Sequence, residues 1–202
     1  SLVARGIHVF SNASAFRRIA GIPLVIPEVN PEDMKSYDGH ACATNCTVVP
    51  VVTPMIGMKS LGIKSVTIRT RQALSGAGWK LLFDAEALSG NVNPFIPQEE
   101  EKLIAELKYL LGIDVPVIAS CNRVSERDGH FVSVGVELSR ETTVEEVEEL
   151  MKIPTLGLPS SPKLVNEIID DSPTRQEYLW NGNGMTTTVG NISCLLYTSD
   201  AA

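Results

Sequence analysis

No apolar run in the 202-residue sequence approaches the roughly 20 residues that carry a helix across a bilayer, and no secretory hydrophobic segment is seen. No basic block is present either. With 17 Lys and Arg against 24 Asp and Glu, the formal net charge is −7, so little is available to neutralise phosphates, and neither nucleic acid nor membrane is an expected partner. Cysteine is sparse. Cys42, Cys46, Cys121 and Cys194 fit thiols kept reduced in a cytoplasmic setting rather than a disulfide framework. Internal repeats and low-complexity tracts are missing too. What remains, 44% hydrophobic and 20% charged, suits one or two ordinary globular domains.

Both ends carry expectations of their own. Ser1 stands where an initiator Met would be, and the chain opens almost directly into a strand-like segment, Gly6 to Phe10, so it reads as a fragment. Cys194 to Ala202 back-translates into a transposase-type sequencing adapter, and residues 193–202 are expected to be a non-native read-through tail.

Along the chain, Gly6–Phe10 and Pro23–Pro27 are short β-rich runs separated by the polar turn Ser11–Ser14 and the pair Arg17-Arg18. They suggest the last strands of an α/β domain. Ile63 to Arg71 sets Ile63, Val66 and Ile68 against Lys64, Thr67 and Arg69, a strand pattern, and leads through Gln72 into the small-residue loop Ser75–Gly78. Gln98 to Gly112 reads as a helix with Glu99, Glu100 and Glu101 in its first turn and Leu103, Ile104, Leu107 and Leu111 on one stripe. Val115–Ser120 and Phe131–Leu138 read as strands. Thr143 and Glu146 form a capping box that opens a second helix to about Met151. Together these predict an α+β layer with helices on one face of a mixed, largely antiparallel sheet.

The stretch with the most chemical content is Ala43-Thr44-Asn45-Cys46-Thr47, which places a thiol just before the apolar run Val48–Met58. A helix start presents unpaired N–H groups and the positive end of the macrodipole, which favour a thiolate and can stabilise an oxyanion beside it. The competing reading is a small buried hydrophobe. Pro50 and Pro54 predict a helix that is kinked or starts late.

Taken in order, Ser11–Ser14 followed by Arg17, Pro23–Glu32, Thr44–Thr47, Gln72–Gly78, Glu99–Lys102, Asn122–Val124, Asp128–His130 and Gly182–Met185 resemble the aspartate-semialdehyde dehydrogenase family, in its archaeal and fungal branch, over roughly residues 6–192. The resemblance implies a reversible, phosphate-dependent, NADP-linked interconversion of L-aspartate 4-semialdehyde and L-aspartyl 4-phosphate. It implies Cys46 as nucleophile, His130 as general acid/base, and Asn45 and Gln72 as groups that hold the oxyanion or orient substrate. By the same resemblance Arg123 would grip the substrate α-carboxylate, Glu99 its ammonium, and Lys102 and Arg17 the phosphate, with Arg18 a rival to Arg17. Ser75, Gly76 and Gly78, with Asn183, would touch the cofactor. No metal is implied. The fold implied is a glyceraldehyde-3-phosphate-dehydrogenase-like catalytic and dimerisation domain, about residues 41–192, after a remnant of a Rossmann-type nucleotide domain at 1–40. A homodimer or homotetramer is implied for the complete protein.

Departures from the pattern are several. In the related glyceraldehyde-3-phosphate dehydrogenases the first cysteine of C-T-T-N-C is used, which makes Cys42 a competitor to Cys46. Trp79 to Gly90 matches poorly. The family's glycine-rich nucleotide loop and closing helix are not seen, so this chain alone is expected to be inactive. Two alternatives remain open: an archaeal-type malonyl-CoA reductase on the same scaffold, and a non-catalytic dimer-forming domain.

Overall fold

A computed structural model describes residues 2–178 and 186–194. The first element is not the expected strand from Gly6. Val3–Arg5 forms a single 3-10 turn, and β1 is shifted to Val9–Ser11. With β2 (Leu24–Val25) and β3 (His40–Ala43) it makes a three-stranded parallel sheet in the order β1-β3-β2. The registers Val9↔His40 and Leu24↔Cys42 put β3 in the centre. Asn30 locks the bend after β2 by accepting from the Ile26 N–H and donating to the Leu24 carbonyl.

From the carboxyl end of β3 the chain turns through Thr44–Val48 into α1 (Val49–Met58). The helix therefore starts three residues after Cys46, and Pro50 sits in its first turn, where its missing N–H costs nothing. Pro54 is inside the helix and leaves the Pro50 carbonyl without its usual donor. Packing compensates, because Val51, Val52, Met55 and Met58 are all buried. Gly57 lets α1 cross a later helix closely, since a Cβ there would overlap the Leu150 carbonyl.

β4 (Ile63–Gln72) is the centre of a second sheet, followed by a 3-10 turn at Leu74–Ala77 and two short helices, α2 (Trp79–Leu82) and α3 (Ala85–Leu88). Val66, Ile68, Thr70 and Gln72 point into the core and Thr67, Arg69 and Arg71 away, the expected alternation, with a bulge between Ile63 and Ser65. The long helix α4 (Glu99–Leu111) matches expectation almost to the residue, with Gln98 and Gly112 at its ends in left-handed conformations. Its buried stripe is Leu103, Leu107, Leu110 and Leu111; Ile104 is only half-buried.

β5 runs Val117–Arg123, later at both ends than the sequence suggested, because Thr70–Gln72 continue to pair with Cys121–Arg123. β6 (Phe131–Leu138) closes the sheet in the order β5-β4-β6. β4 is parallel to β5 and antiparallel to β6. The sheet is thus mixed, but the expected preponderance of antiparallel pairing is not found: among the named strands of the described residues β4–β6 pairs that way, with an isolated antiparallel bridge between Phe95 and Asn122 beside it. α5 (Val144–Met151) is capped by Thr143, whose hydroxyl accepts from the Glu146 N–H at 3.3 Å. The reciprocal half of the box is diverted, since the Glu146 carboxylate takes bonds from Arg140 and the Thr142 hydroxyl. β7 (Asn166–Ile169), α6 (Arg175–Tyr178) and β8 (Thr187–Gly190) complete the described chain, β7 and β8 pairing in parallel.

One core joins the two larger sheets. Val51, Val52 and Met55 of α1 meet Leu103 and Leu107 of α4, Val66 and Ile68 of β4, and Val147 and Met151 of α5. The helices cover one face of the mixed sheet, while Ile118, opposite Thr67 on its other face, is exposed. No helix among the described residues is long and apolar enough to cross a membrane.

Candidate active site

The turn carrying Cys46 is built by its neighbour. The Asn45 side-chain oxygen accepts from the Thr47 N–H and the Thr47 hydroxyl, both at 3.1 Å, and from the Cys46 thiol at 3.4 Å. Asn45 thus closes the turn that points the thiol outward. Its own amide group donates to Glu99 Oε1 at 2.9 Å, and the same oxygen accepts from Gln72 Nε2 at 3.0 Å. Asn45, Gln72 and Glu99 are all buried, so three residues from the end of β3, the end of β4 and the start of α4 form one satisfied polar cluster under the thiol.

His130 closes the other side. Its Nε2 lies 3.2 Å from Cys46 Sγ, and its Nδ1 accepts from the Ala73 N–H at 3.1 Å. A nitrogen that accepts from a main-chain amide carries no hydrogen, so the ring hydrogen of the neutral imidazole sits on Nε2 and faces the sulfur. An imidazolium would press a second hydrogen into the Ala73 contact. The Ala73 carbonyl in turn accepts from Arg123 Nη1 at 2.6 Å, which makes this fully buried peptide the common mount of His130 and Arg123. The Ser75–Gly78 turn lies against both: a Cβ on Gly76 would stand 2.9 Å from Arg123 Nη1 and 3.0 Å from His130 Cε1.

These surroundings act on the proton affinities. Lost hydration, then the Glu99 charge, pushes the Cys46 thiol above its ordinary range even though one side of it meets solvent. Burial, then the Arg123 and Arg175 charges, pulls His130 below its ordinary value. The resting pair is therefore thiol and neutral imidazole, with the imidazole offering its hydrogen bond to the sulfur. Cys42, the competitor, is buried in β3, and burial raises its thiol too.

The expected phosphate ligands are divided. Arg17 is nearly buried; its Nη1 pairs with Glu106 Oε1 at 3.1 Å and its Nη2 donates to the Asn12 carbonyl at 2.6 Å. Lys102, with Ser14, Arg18, Gln98 and Glu106, instead lines an open cleft of about 350 Å³. Arg18, the rival, thus faces that cleft directly, whereas Arg17 lines the neighbouring cleft of about 560 Å³. Asn183 and the segment Gly182–Met185 lie outside the described residues, as does 195–202, most of the expected read-through tail. Among the described residues, no group of three or more His, Cys, Asp or Glu could hold a metal ion.

Sequence reasoning overlooked Ala73, Glu106, Thr44 and Arg175. Ala73 acts through its backbone, which no side-chain pattern can reveal. Glu106 had a signal: a carboxylate on the buried face of α4, beside Leu103, Leu107 and Leu110. Arg175 reaches back to donate to the Gly129 carbonyl at 2.7 Å, steadying the turn before His130, a contact across 46 residues.

A reachable thiol at a strand-to-helix turn, an imidazole with fixed hydrogen placement and a small-residue loop against that imidazole make a candidate site for nucleophilic-cysteine chemistry on an α+β scaffold. The chain belongs to the semialdehyde dehydrogenase family: the model of that family's dimerisation domain matches residues 52–200. It is 39% identical to the aspartate-semialdehyde dehydrogenase of Archaeoglobus fulgidus over 210 residues, covering 93% of this chain and 61% of that protein. Identity to the Methanothermobacter thermautotrophicus aspartate-semialdehyde dehydrogenase is 34%, over 91% of this chain and 60% of that one. The structure of the Candida albicans aspartate-semialdehyde dehydrogenase with NADP superposes with a TM-score of 0.77 at 28% identity, over 96% of this chain and 63% of that chain. The chain spans about three-fifths of the length of these relatives.

Proposed function

We propose that the complete protein interconverts L-aspartate 4-semialdehyde and L-aspartyl 4-phosphate with NADP and phosphate, through a thioester on Cys46. The observation that carries this reading is the 3.2 Å approach of His130 Nε2 to Cys46 Sγ over the Asn45–Gln72–Glu99 cluster. In the biosynthetic direction the Cys46 thiol gives up its proton, which ends on the leaving phosphate, as the sulfur bonds to the acyl carbon and the bond from that carbon to the phosphate oxygen breaks. The oxygen that gains charge beside the sulfur meets the hydrogen on His130 Nε2, the acid/base group of the reaction. Asn45 holds the thiol's orientation, and Gln72, tied to Glu99, is placed to orient the substrate.

Recognition follows charge. Arg123, held flat by the Ala73 carbonyl, keeps donors for the substrate α-carboxylate, and Glu99 supplies the negative charge for its ammonium. Arg17 and Lys102 are the proposed phosphate ligands. The Ser75–Gly78 turn fits a flat cofactor ring, because Gly78 has nothing within 4 Å of where a side chain would start. Ser75, Gly76 and Gly78, with Asn183, would hold NADPH there; when bound it supplies the hydride.

Domain organisation is part of the reading. The parallel strands β1 and β2 lie in the nucleotide domain proposed for residues 1–40, residues 41–192 are the proposed catalytic and dimerisation domain, and β3, His40–Ala43, straddles that boundary. The exposed face of the mixed sheet, including Ile118, supports a homodimer of the complete, cytoplasmic protein.

The test is phosphate-dependent NADP reduction by the semialdehyde in the complete protein, with malonyl-CoA-dependent NADPH oxidation as the comparison. Cys46→Ala is expected to abolish turnover, and Cys42→Ala to retain most of it. Turnover that survives Cys46→Ala, or that prefers malonyl-CoA, overturns the assignment.

A further inference from the structure

α4 carries two buried carboxylates seven residues apart, two turns along one face: Glu99, 7% exposed, and Glu106, 3% exposed. Glu99 holds the Asn45 side chain. Glu106 holds the Asn45 backbone: its Oε2 accepts from the Asn45 N–H at 2.7 Å and from the Thr44 hydroxyl at 2.5 Å. The residue that orients the Cys46 thiol is therefore gripped from two sides by a single helix.

Glu106 has a second engagement. Its other oxygen, Oε1, takes the Arg17 Nη1 bond, while Arg17 Nε is buried without an acceptor. Only a carboxylate accepts at both ends. A glutamine there would present its NH₂ either to the Arg17 guanidinium or to the Asn45 N–H, donor against donor. We propose that Glu106 is a positioning residue that transmits the state of Arg17 to the Cys46 turn. Because Arg17 is a phosphate ligand in the function proposed above, on which this part rests, an oxyanion that draws Arg17 from Glu106 changes the hold on Asn45 and so on the thiol. The cleft lined by Arg17, Arg18 and Glu106 lets such an ion approach Arg17 from solvent.

The link is tested without any ligand. Cys46 alkylation by iodoacetamide, a neutral reagent, is followed by peptide mapping from pH 7 to 10 in the full chain, in R17Q, in E106Q and in the R17Q/E106Q double variant. Arg17 also acts on the thiol directly through space, and that part is indifferent to residue 106. A relay predicts that R17Q shifts the Cys46 rate about fivefold in the wild-type background and less than twofold in the E106Q background. Equal shifts in both backgrounds, or E106Q rates and pH profile matching wild type, overturn the proposal. If either single variant loses its native circular dichroism, T44V is compared in the wild-type and charge-neutral R17Q/E106Q backgrounds. T44V removes the Thr44 bond to residue 106, so a relay predicts effects on the Cys46 rate that differ at least twofold between the two backgrounds; equal effects overturn the relay. Failure of the underlying reading looks different: in the unaltered chain, Cys46 would then react no faster than Cys42, Cys121 and Cys194.

Discussion

Replacing Gly76 by alanine tests whether the Ser75–Gly78 turn seats the His130 ring. The backbone at Gly76 accepts a side chain without strain, so only space is at issue. A Cβ there would stand 3.0 Å from His130 Cε1 and 2.9 Å from Arg123 Nη1. Ordinary carbon contacts fall near 3.5–4.0 Å, so the ring and the turn must separate by roughly 0.5–1 Å. Neither neighbour moves freely. Cε1 lies between the two ring nitrogens, one on the Ala73 N–H at 3.1 Å and the other 3.2 Å from Cys46 Sγ, and Arg123 is tied to the Ala73 carbonyl at 2.6 Å. Overpacking of this kind costs about 1–3 kcal/mol and a lost hydrogen bond about 1 more. At roughly 2–4 °C per kcal/mol for a chain of this size, the melting temperature should fall by about 5–15 °C. In the complete protein a displacement of this size should cost on the order of 100-fold in turnover. Gly78→Ala is the control. Gly78 has φ +91° and open space, so its alanine variant is strained by about 1–2 kcal/mol and leaves the ring in place. Thermal melts by circular dichroism, with the His130 ring followed by NMR through a pH titration, separate the two. A Gly76→Ala chain that melts within about 1 °C of wild type with an unchanged His130 titration would refute the reasoning.

Stability should fall toward both ends of the pH scale. His130 sits below its ordinary 6.5, through burial and then the Arg123 charge, so its contribution is present above that value and is lost as pH falls through the folded-state value. Cys46 sits above its ordinary 9.0, through burial and then the Glu99 charge, so its contribution is intact below that value and fades as pH rises toward the folded-state value. Urea midpoints across pH check this: His130→Gln should flatten the acid limb and Cys46→Ala the alkaline limb. Gly57→Ala, which on helix propensity alone should stabilise α1 by about 1 kcal/mol, is expected instead to destabilise by roughly 2 kcal/mol or more, because the new methyl meets the Leu150 carbonyl. A urea midpoint at or above wild type would show that α1 and α5 can part without cost.

Local rules made several elements legible. α4 was visible because an acidic first turn, an apolar stripe and Gly112 all act within the helix itself, and β6 because alternation needs only its own residues. Thr143 capped α5 as its position suggested, yet Glu146 was misjudged, since Arg140 and Thr142 compete for its carboxylate and only the folded turn brings them there. The mixed sheet matches expectation, while its balance of parallel and antiparallel pairing lies beyond local rules for a related reason. Strand pattern records which face is buried, and the connection through α4, which returns β5 parallel to β4, is a property of the whole layer.

The same division holds at the thiol. Sequence alone determined that Cys46 precedes a helix, that small residues follow Gln72, and that the ordered motifs resemble the family to which the chain belongs. It also placed Asn45, Gln72, Glu99, Arg123 and His130 among the residues to watch. Only the tertiary structure decided that Asn45 closes the turn, that the Ala73 peptide sets the hydrogen placement on His130, and that Arg17 rests on Glu106. The physical reason is range. Capping, periodicity and turn chemistry act over a few neighbouring residues, whereas the Ala73–His130 and Arg17–Glu106 contacts join residues 57 and 89 positions apart, and a main-chain amide can mount a side chain without leaving any mark in the side-chain pattern.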